Sequence, residues 1–137
     1  MTVWRNYKVP SSGSKYHSQK VKTPDGEIFD SRKEYRRFSD LAMLQKAGEI
    51  RGLQRQVPFL LVPEHREPDT TGPRGGRKPG RILERKVEYF ADFVYDERQP
   101  DGTWKQVVED CKGMRTPDYI IKRKLMLHVH GIRLKET

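Results

Sequence analysis

Two β-rich runs joined by one tight turn constrain this chain more than any other feature. Glu84 to Tyr95 is dense in aromatic and β-branched residues, Thr103 to Cys111 is a shorter return, and Gln99-Pro100-Asp101-Gly102 stands between them. Pro-Asp-Gly suits the dihedrals of a reversal, so the segment predicts a long antiparallel hairpin. Within the first run, Tyr89-Phe90-Ala91-Asp92-Phe93-Val94-Tyr95 carries one acid among apolar neighbours. An acid there is expensive to bury unless it is paired or holds a cation. The return run ends in Val107-Val108-Glu109-Asp110-Cys111-Lys112-Gly113. Side chains alternate along a strand, so Asp110 and Lys112 share one face while Glu109 and Cys111 share the other. A bulge would exchange the two faces, which keeps Glu109 as the fallback acid. The register between Asp92 and Asp110 is left open by the sequence.

The rest of the chain supplies the layers that such a hairpin needs. Residues 1–15 are polar and include Pro10-Ser11-Ser12-Gly13-Ser14, which predicts a flexible arm ahead of a single domain at 16–137. Val21 to Phe29 predicts two short strands around Pro24-Asp25-Gly26. Ser31, with Glu34 three residues on, has capping-box spacing. Tyr35, Phe38, Leu41, Ala42 and Gln45 then recur at helical spacing up to a stop at Gly48. Ile50 to Val57 and Phe59 to Val62 predict two short strands, or one broken at Pro58. Residues 64–81 are rich in proline, glycine and charge and predict a basic loop. Thr116 and Pro117 open a second helix that ends at Gly131, and Ile132-Arg133-Leu134 predicts a last short strand. Hairpin, helix, strands, hairpin, helix and strand together predict an α/β or α+β sandwich, a central mixed β-sheet flanked by helices, of which α/β is the expectation.

Charge narrows the partner. Of 137 residues, 28 are Lys or Arg and 19 are Asp or Glu, a formal charge of +9. That excess points to a polyanion, most often nucleic acid; a solvated basic surface is the plainer alternative. Arg115, Lys122, Arg123 and Lys124 flank and occupy the second helix, and Arg74, Arg77 and Lys78 lie in the 64–81 loop. These are the candidate phosphate contacts. One cysteine, Cys111, excludes an internal disulfide and any multi-cysteine zinc site. No apolar run approaches the length of about 20 residues that a membrane span needs, so no membrane partner is expected. Without an apolar stretch of the signal-peptide kind near the start, a cytoplasmic location is the expectation.

Asp92 and Asp110 on adjacent strands would repel each other, and a divalent cation relieves such repulsion. A lysine two residues beyond the second acid can offset charge at phosphorus. These are the parts required to hydrolyse a phosphodiester. Glu34 on the first helix, Asp92 in its aromatic run and Asp110-Cys111-Lys112 resemble the PD-(D/E)xK nuclease superfamily, the restriction-endonuclease-like fold. More narrowly, the series KYHSQKV, GEIFDSRKE, AGEIRGLQRQ, ADFVY and VVEDCKG resembles a family of small phage- and prophage-encoded domains long without an assigned function. The resemblance spans roughly residues 15–135, and Ala91 stands where the superfamily motif has proline.

It implies a Mg²⁺- or Mn²⁺-dependent endodeoxyribonuclease acting on branched, recombination or replication DNA in a bacterial host, with Holliday-junction resolution as the sharper form. Asp92 and Asp110 would hold the metal, Glu34 would complete its shell, Lys112 would be the catalytic lysine, and Gln56 matches a recurrent glutamine of unassigned role. Cutting a symmetric junction would require a homodimer. Glu34 also has a purely structural reading as the third residue of the capping box. The main competing function is a DNA-binding accessory protein that has lost activity. An RNA-binding domain is a weaker fit, because interleaved aromatic motifs are missing.

Overall fold

The computed structural model describes residues 19–112 and 114–137. The expected arm at 1–15 and Gly113 lie outside these residues. The fold is mixed α/β with one central mixed sheet and two helices. Val21–Lys22 (β1) and Ile28–Phe29 (β2) form a small antiparallel pair ahead of helix α1, Arg32–Lys46. Ser31 caps α1 by accepting the Glu34 N–H at 3.1 Å.

Ile50–Val62 (β3) is one continuous strand of 13 residues. The expected break at Pro58 does not occur. β3 lies at an edge of the central sheet, where a missing N–H leaves no partner unsatisfied.

The basic loop expected at 64–81 is instead a β-ribbon. His65–Arg66 (β4) pairs with Ile82–Glu84 (β7), and Thr70–Thr71 (β5) pairs with Arg77–Lys78 (β6). Asp69 organises the ribbon by accepting the Gly80 N–H at 3.0 Å and pairing with Arg77. Gly80 lies so close to Glu67 that any side chain would overlap its carbonyl. Local polar bonds and one obligatory glycine thus order a segment that has no hydrophobic periodicity.

Val87–Arg98 (β8) and Trp104–Asp110 (β9) form the expected hairpin, with Phe93 opposite Glu109 and Val94 opposite Val108. Helix α2, Pro117–His130, starts on a Thr116 cap and stops at Gly131, whose φ of 66° is easy only for glycine. The last strand is Lys135–Glu136 (β10), displaced from the expected Ile132–Leu134. Ile132 and Leu134 instead pack against the α2-side core. The order in the central sheet is β10-β9-β8-β3, with β10 parallel to β9 and the other pairs antiparallel.

The helices cover opposite faces. On one, Leu41 of α1 packs with Ile50, Phe93 and Tyr95. On the other, Tyr119 and Met126 of α2 pack with Leu61, Tyr89, Ala91, Val94 and Val108. Strict alternation would set Tyr89, Ala91, Phe93 and Tyr95 on one face, yet the first two face α2 and the last two face α1. The phase slips at Asp92. It slips at the same height on β3, where Leu53 packs on the α1 side and Val57 and Phe59 on the α2 side. Because both strands slip together, pairing resumes in step, Arg55 with Phe93 and Val57 with Ala91. Between these pairs stand Gln56 and Asp92, and Gln56 has φ of 50°, rare for a residue with a side chain.

Candidate functional site

The site grows from that paired slip. An interruption in alternation turns polar side chains out of two packed faces and toward the end of the shorter strand β9. Asp92 Oδ2 accepts the Cys111 N–H at 2.8 Å, just past the last residue of β9. Asp92 Oδ1 accepts from Gln56 Nε2 at 3.2 Å, and the same nitrogen donates to Glu34 Oε1, also at 3.2 Å. Asp110 and Lys112 complete the group: Lys112 Nζ lies 3.4 Å from Asp110 Oδ1. The structure therefore brings together Glu34, Gln56, Asp92, Asp110 and Lys112, drawn from α1, β3, β8 and the end of β9.

Their electrostatics are crowded. Burial first, and the Asp110 charge second, push the Asp92 carboxyl up to about 7. Burial and the nearby Asp30 raise Glu34 as well. Asp110 is 1% exposed. Its Oδ2 takes a bond from the Tyr89 hydroxyl, whose own pKa is raised by burial and by that bond. Its Oδ1 is buried and has no hydrogen-bond partner, because Lys112 is near but not aligned with it. Arg55 lies 3.7 Å from Glu34 and is stacked 3.6 Å above the Phe29 ring. Lys33 Nζ donates to the Lys112 carbonyl at 3.1 Å.

Glu109, the fallback acid, is set apart on the α1 face. It is fully buried, with Arg37 donating to both of its oxygens, Tyr95 donating at 2.7 Å and Thr137 at 3.1 Å. Arg37 and Tyr95 hold its carboxyl below the usual range despite its burial. It is a structural ion pair with no free lone pair facing the cluster.

The expected phosphate contacts divide into two places. Arg115, Arg123 and Lys124 line a cleft beside α2, and Lys122 is half-buried on the same helix. Arg74, Arg77 and Lys78 border a separate hollow in the ribbon, where Arg77 is paired with Asp69. Sequence reasoning missed Tyr89, Arg55 and Lys33. Tyr89 stood in the aromatic run beside Asp92, but its bond to Asp110 depends on register, and no spacing signals the other two.

Among the described residues, no three His, Cys, Asp or Glu side chains converge closely enough to share a metal ion as they stand. The Gln56 amide stands between Glu34 and Asp92. The donor set nonetheless fits a hard divalent cation. It consists of crowded carboxylates, one pushed up by burial and by its neighbour's charge and another with an orphaned buried oxygen. Also among the described residues, no helix is long and apolar enough to cross a membrane.

Residues 13–136 match the family described as "Protein of unknown function (DUF1064)", and the chain belongs to that family. It matches no curated protein and no solved structure.

Proposed function

We propose that this DUF1064 protein is a Mg²⁺- or Mn²⁺-dependent endodeoxyribonuclease with a restriction-endonuclease-like core. The carrying observation is Asp92 and Asp110 crowded at one strand end, with Lys112 Nζ 3.4 Å from an Asp110 oxygen that makes no hydrogen bond. The resemblance of Glu34, Asp92 and Asp110-Cys111-Lys112 to the PD-(D/E)xK pattern supports the same reading. So does the charge of +9, which suits a polyanionic substrate. Branched DNA of phage recombination or replication is the substrate class that the narrower resemblance favours, with a homodimer for symmetric junctions.

Asp92, Asp110 and Glu34 would hold the ion, which when bound supplies Lewis-acid stabilisation of the phosphoryl group. Tyr89 fixes the rotamer of Asp110 by binding its Oδ2, leaving Oδ1 directed at the site. Lys112 presents its ammonium where negative charge develops at phosphorus. Its ammonium is near Asp110 Oδ1 without bonding to it, so its donors can take a phosphate oxygen. Gln56 spaces Glu34 from Asp92 and keeps both ionisable within one hydrogen-bonded group.

The test is cleavage of labelled duplex, single-stranded, flap and four-way-junction DNA with Mg²⁺, Mn²⁺ or EDTA. Wild type should cut at least one substrate only with metal, and Asp110→Ala and Lys112→Ala should each lose about 100-fold or more. If wild type binds DNA yet leaves every substrate intact, the nuclease reading fails and the inactive, DNA-binding accessory reading takes its place.

A further inference from the structure

A second feature lies one strand away from the carboxylates. Between α2 and the segment after it runs a cleft of about 490 Å³. Arg115, Arg123, Lys124 and Arg133 line it, over an apolar floor that includes Leu127 and Leu134. A single carboxylate, Glu136, faces these four cations. Arg115 Nε donates to Glu136 Oε2 at 2.6 Å, and Arg123 Nη1 donates to Oε1 at 2.9 Å. One carboxylate thus bridges two guanidinium groups, an arrangement equally suited to two oxygens of a phosphate. The Glu136 side chain is 20% exposed and that of Arg115 is 61% exposed, so an incoming anion meets the guanidinium first. The parallel pairing of β10 with β9 sets Glu136 beside Asp110. Lys112 Nζ lies 4.6 Å from the centre of the Tyr119 ring, so the candidate catalytic end of β9 also meets α2, the helix that carries Arg123.

We propose that Arg115 and Arg123, extended by Lys124 and Arg133, form a phosphate-binding subsite that Glu136 fills internally until a phosphate group displaces it. The inference rests on the nucleic-acid reading above and adds the place where a phosphate beyond the cleaved one is held. Its chemistry is shared by a backbone diester and a terminal monoester. The plainer reading is a staple, in which Glu136 only ties β10 to α2. The two differ in sign: a staple lost leaves DNA affinity unchanged, whereas a competitor lost raises it.

The experiment is fluorescence anisotropy on the full chain in EDTA, which separates binding from cleavage. The probes are one duplex with a 5′-phosphate, the same duplex with a 5′-hydroxyl, and inorganic phosphate as competitor. Glu136→Gln should bind duplex about tenfold tighter, the equivalent of one charge-assisted bond no longer opposed. Arg123→Gln should bind about tenfold weaker and reduce the slope of log affinity against log salt by about 1. Lys124→Gln and Arg133→Gln line the same cleft without touching Glu136 and should each weaken binding about threefold even if the Glu136 variant folds poorly. A gain on both duplexes identifies a backbone diester. A gain confined to the 5′-phosphorylated duplex, with inorganic phosphate competing, identifies a terminal monoester. If Glu136→Gln, folded as judged by circular dichroism, binds no tighter, or if Lys124→Gln and Arg133→Gln both bind as wild type does, the subsite is refuted. A cleavage assay that fails while the Glu136→Gln gain persists removes the nuclease reading and leaves the subsite. Cleavage that persists without the gain removes the subsite alone.

Discussion

Asp92→Asn is the most informative single perturbation of the carboxylate group. Folded, Asp92 holds its proton up to about pH 7; its ordinary value is 3.8. Between those values the folded state binds a proton that the unfolded state has lost, so stability falls as pH rises and levels off above about 7. The difference of roughly 3 units, at about 1.4 kcal/mol each, bounds the penalty at about 4 kcal/mol. Burial is the larger cause of that rise, and an asparagine amide buried at the same place keeps a desolvation cost of its own of about 2 kcal/mol. Asparagine keeps an oxygen for the Cys111 N–H but turns an N–H toward Gln56, which must rotate and release Glu34, at about 1 kcal/mol.

The net expectation is that Asp92→Asn is about 1 kcal/mol more stable than wild type at pH 8, a rise in Tm of about 3 °C for a domain of this size. At pH 5 the wild-type carboxyl is already neutral, so the gain disappears and the hydrogen-bond loss leaves the variant slightly less stable. The assay is thermal unfolding of both proteins at pH 5 and pH 8, repeated at pH 8 with Mn²⁺. The ion should raise the Tm of wild type and raise that of Asp92→Asn much less. If the ranking of the two proteins is the same at both pH values, Asp92 carries no unfavourable charge and no cation site lies at this strand end.

Glu34→Gln separates capping from chemistry: the Ser31 cap uses the residue 34 backbone N–H, so Tm should move by less than about 2 °C, while metal-dependent cleavage falls about 100-fold. Glu109→Gln should destabilise by about 3 kcal/mol in urea unfolding at pH 7, because Arg37 is left facing a neutral partner in a buried site. The Glu109 carboxyl is held below its ordinary 4.5, so wild type keeps this contribution above that pH and loses it as pH falls through the lower folded value. The gap between wild type and Glu109→Gln should therefore close in strong acid. Gly80→Ala should open the ribbon to limited proteolysis between residues 64 and 84 while thermal unfolding of the rest stays cooperative.

The elements that were legible in the sequence carry their own local cause. Ser31 and Thr116 cap their helices with backbone bonds made within three residues, and Gly131 ends α2 through its own dihedral preference. The turn at Gln99–Thr103 closes within itself. Pairing Asp110 with Lys112 and sending Glu109 to the opposite face needed only the pleat of one strand. The ribbon at 64–84 was not legible, because Asp69, Gly80 and Glu67 act across a reversal and leave no periodic pattern. Tyr89 as the partner of Asp110 was equally hidden, since Tyr89 reaches the α2 face only through the slip at Asp92.

By itself the sequence determined that Glu34, Asp92, Asp110 and Lys112 are the acids and the lysine that can act together, and which strands and helices carry them. Composition, caps and alternation act over a few residues, so they can be read from the chain. Tertiary structure decided that the site exists as one place. Gln56 and Asp92 slip phase at the same height on two paired strands, and no local rule demands that they do so together. That coincidence aims Asp92 at the end of β9, strands an oxygen of Asp110 without a hydrogen-bond partner, and leaves Glu109 to Arg37 on the far face.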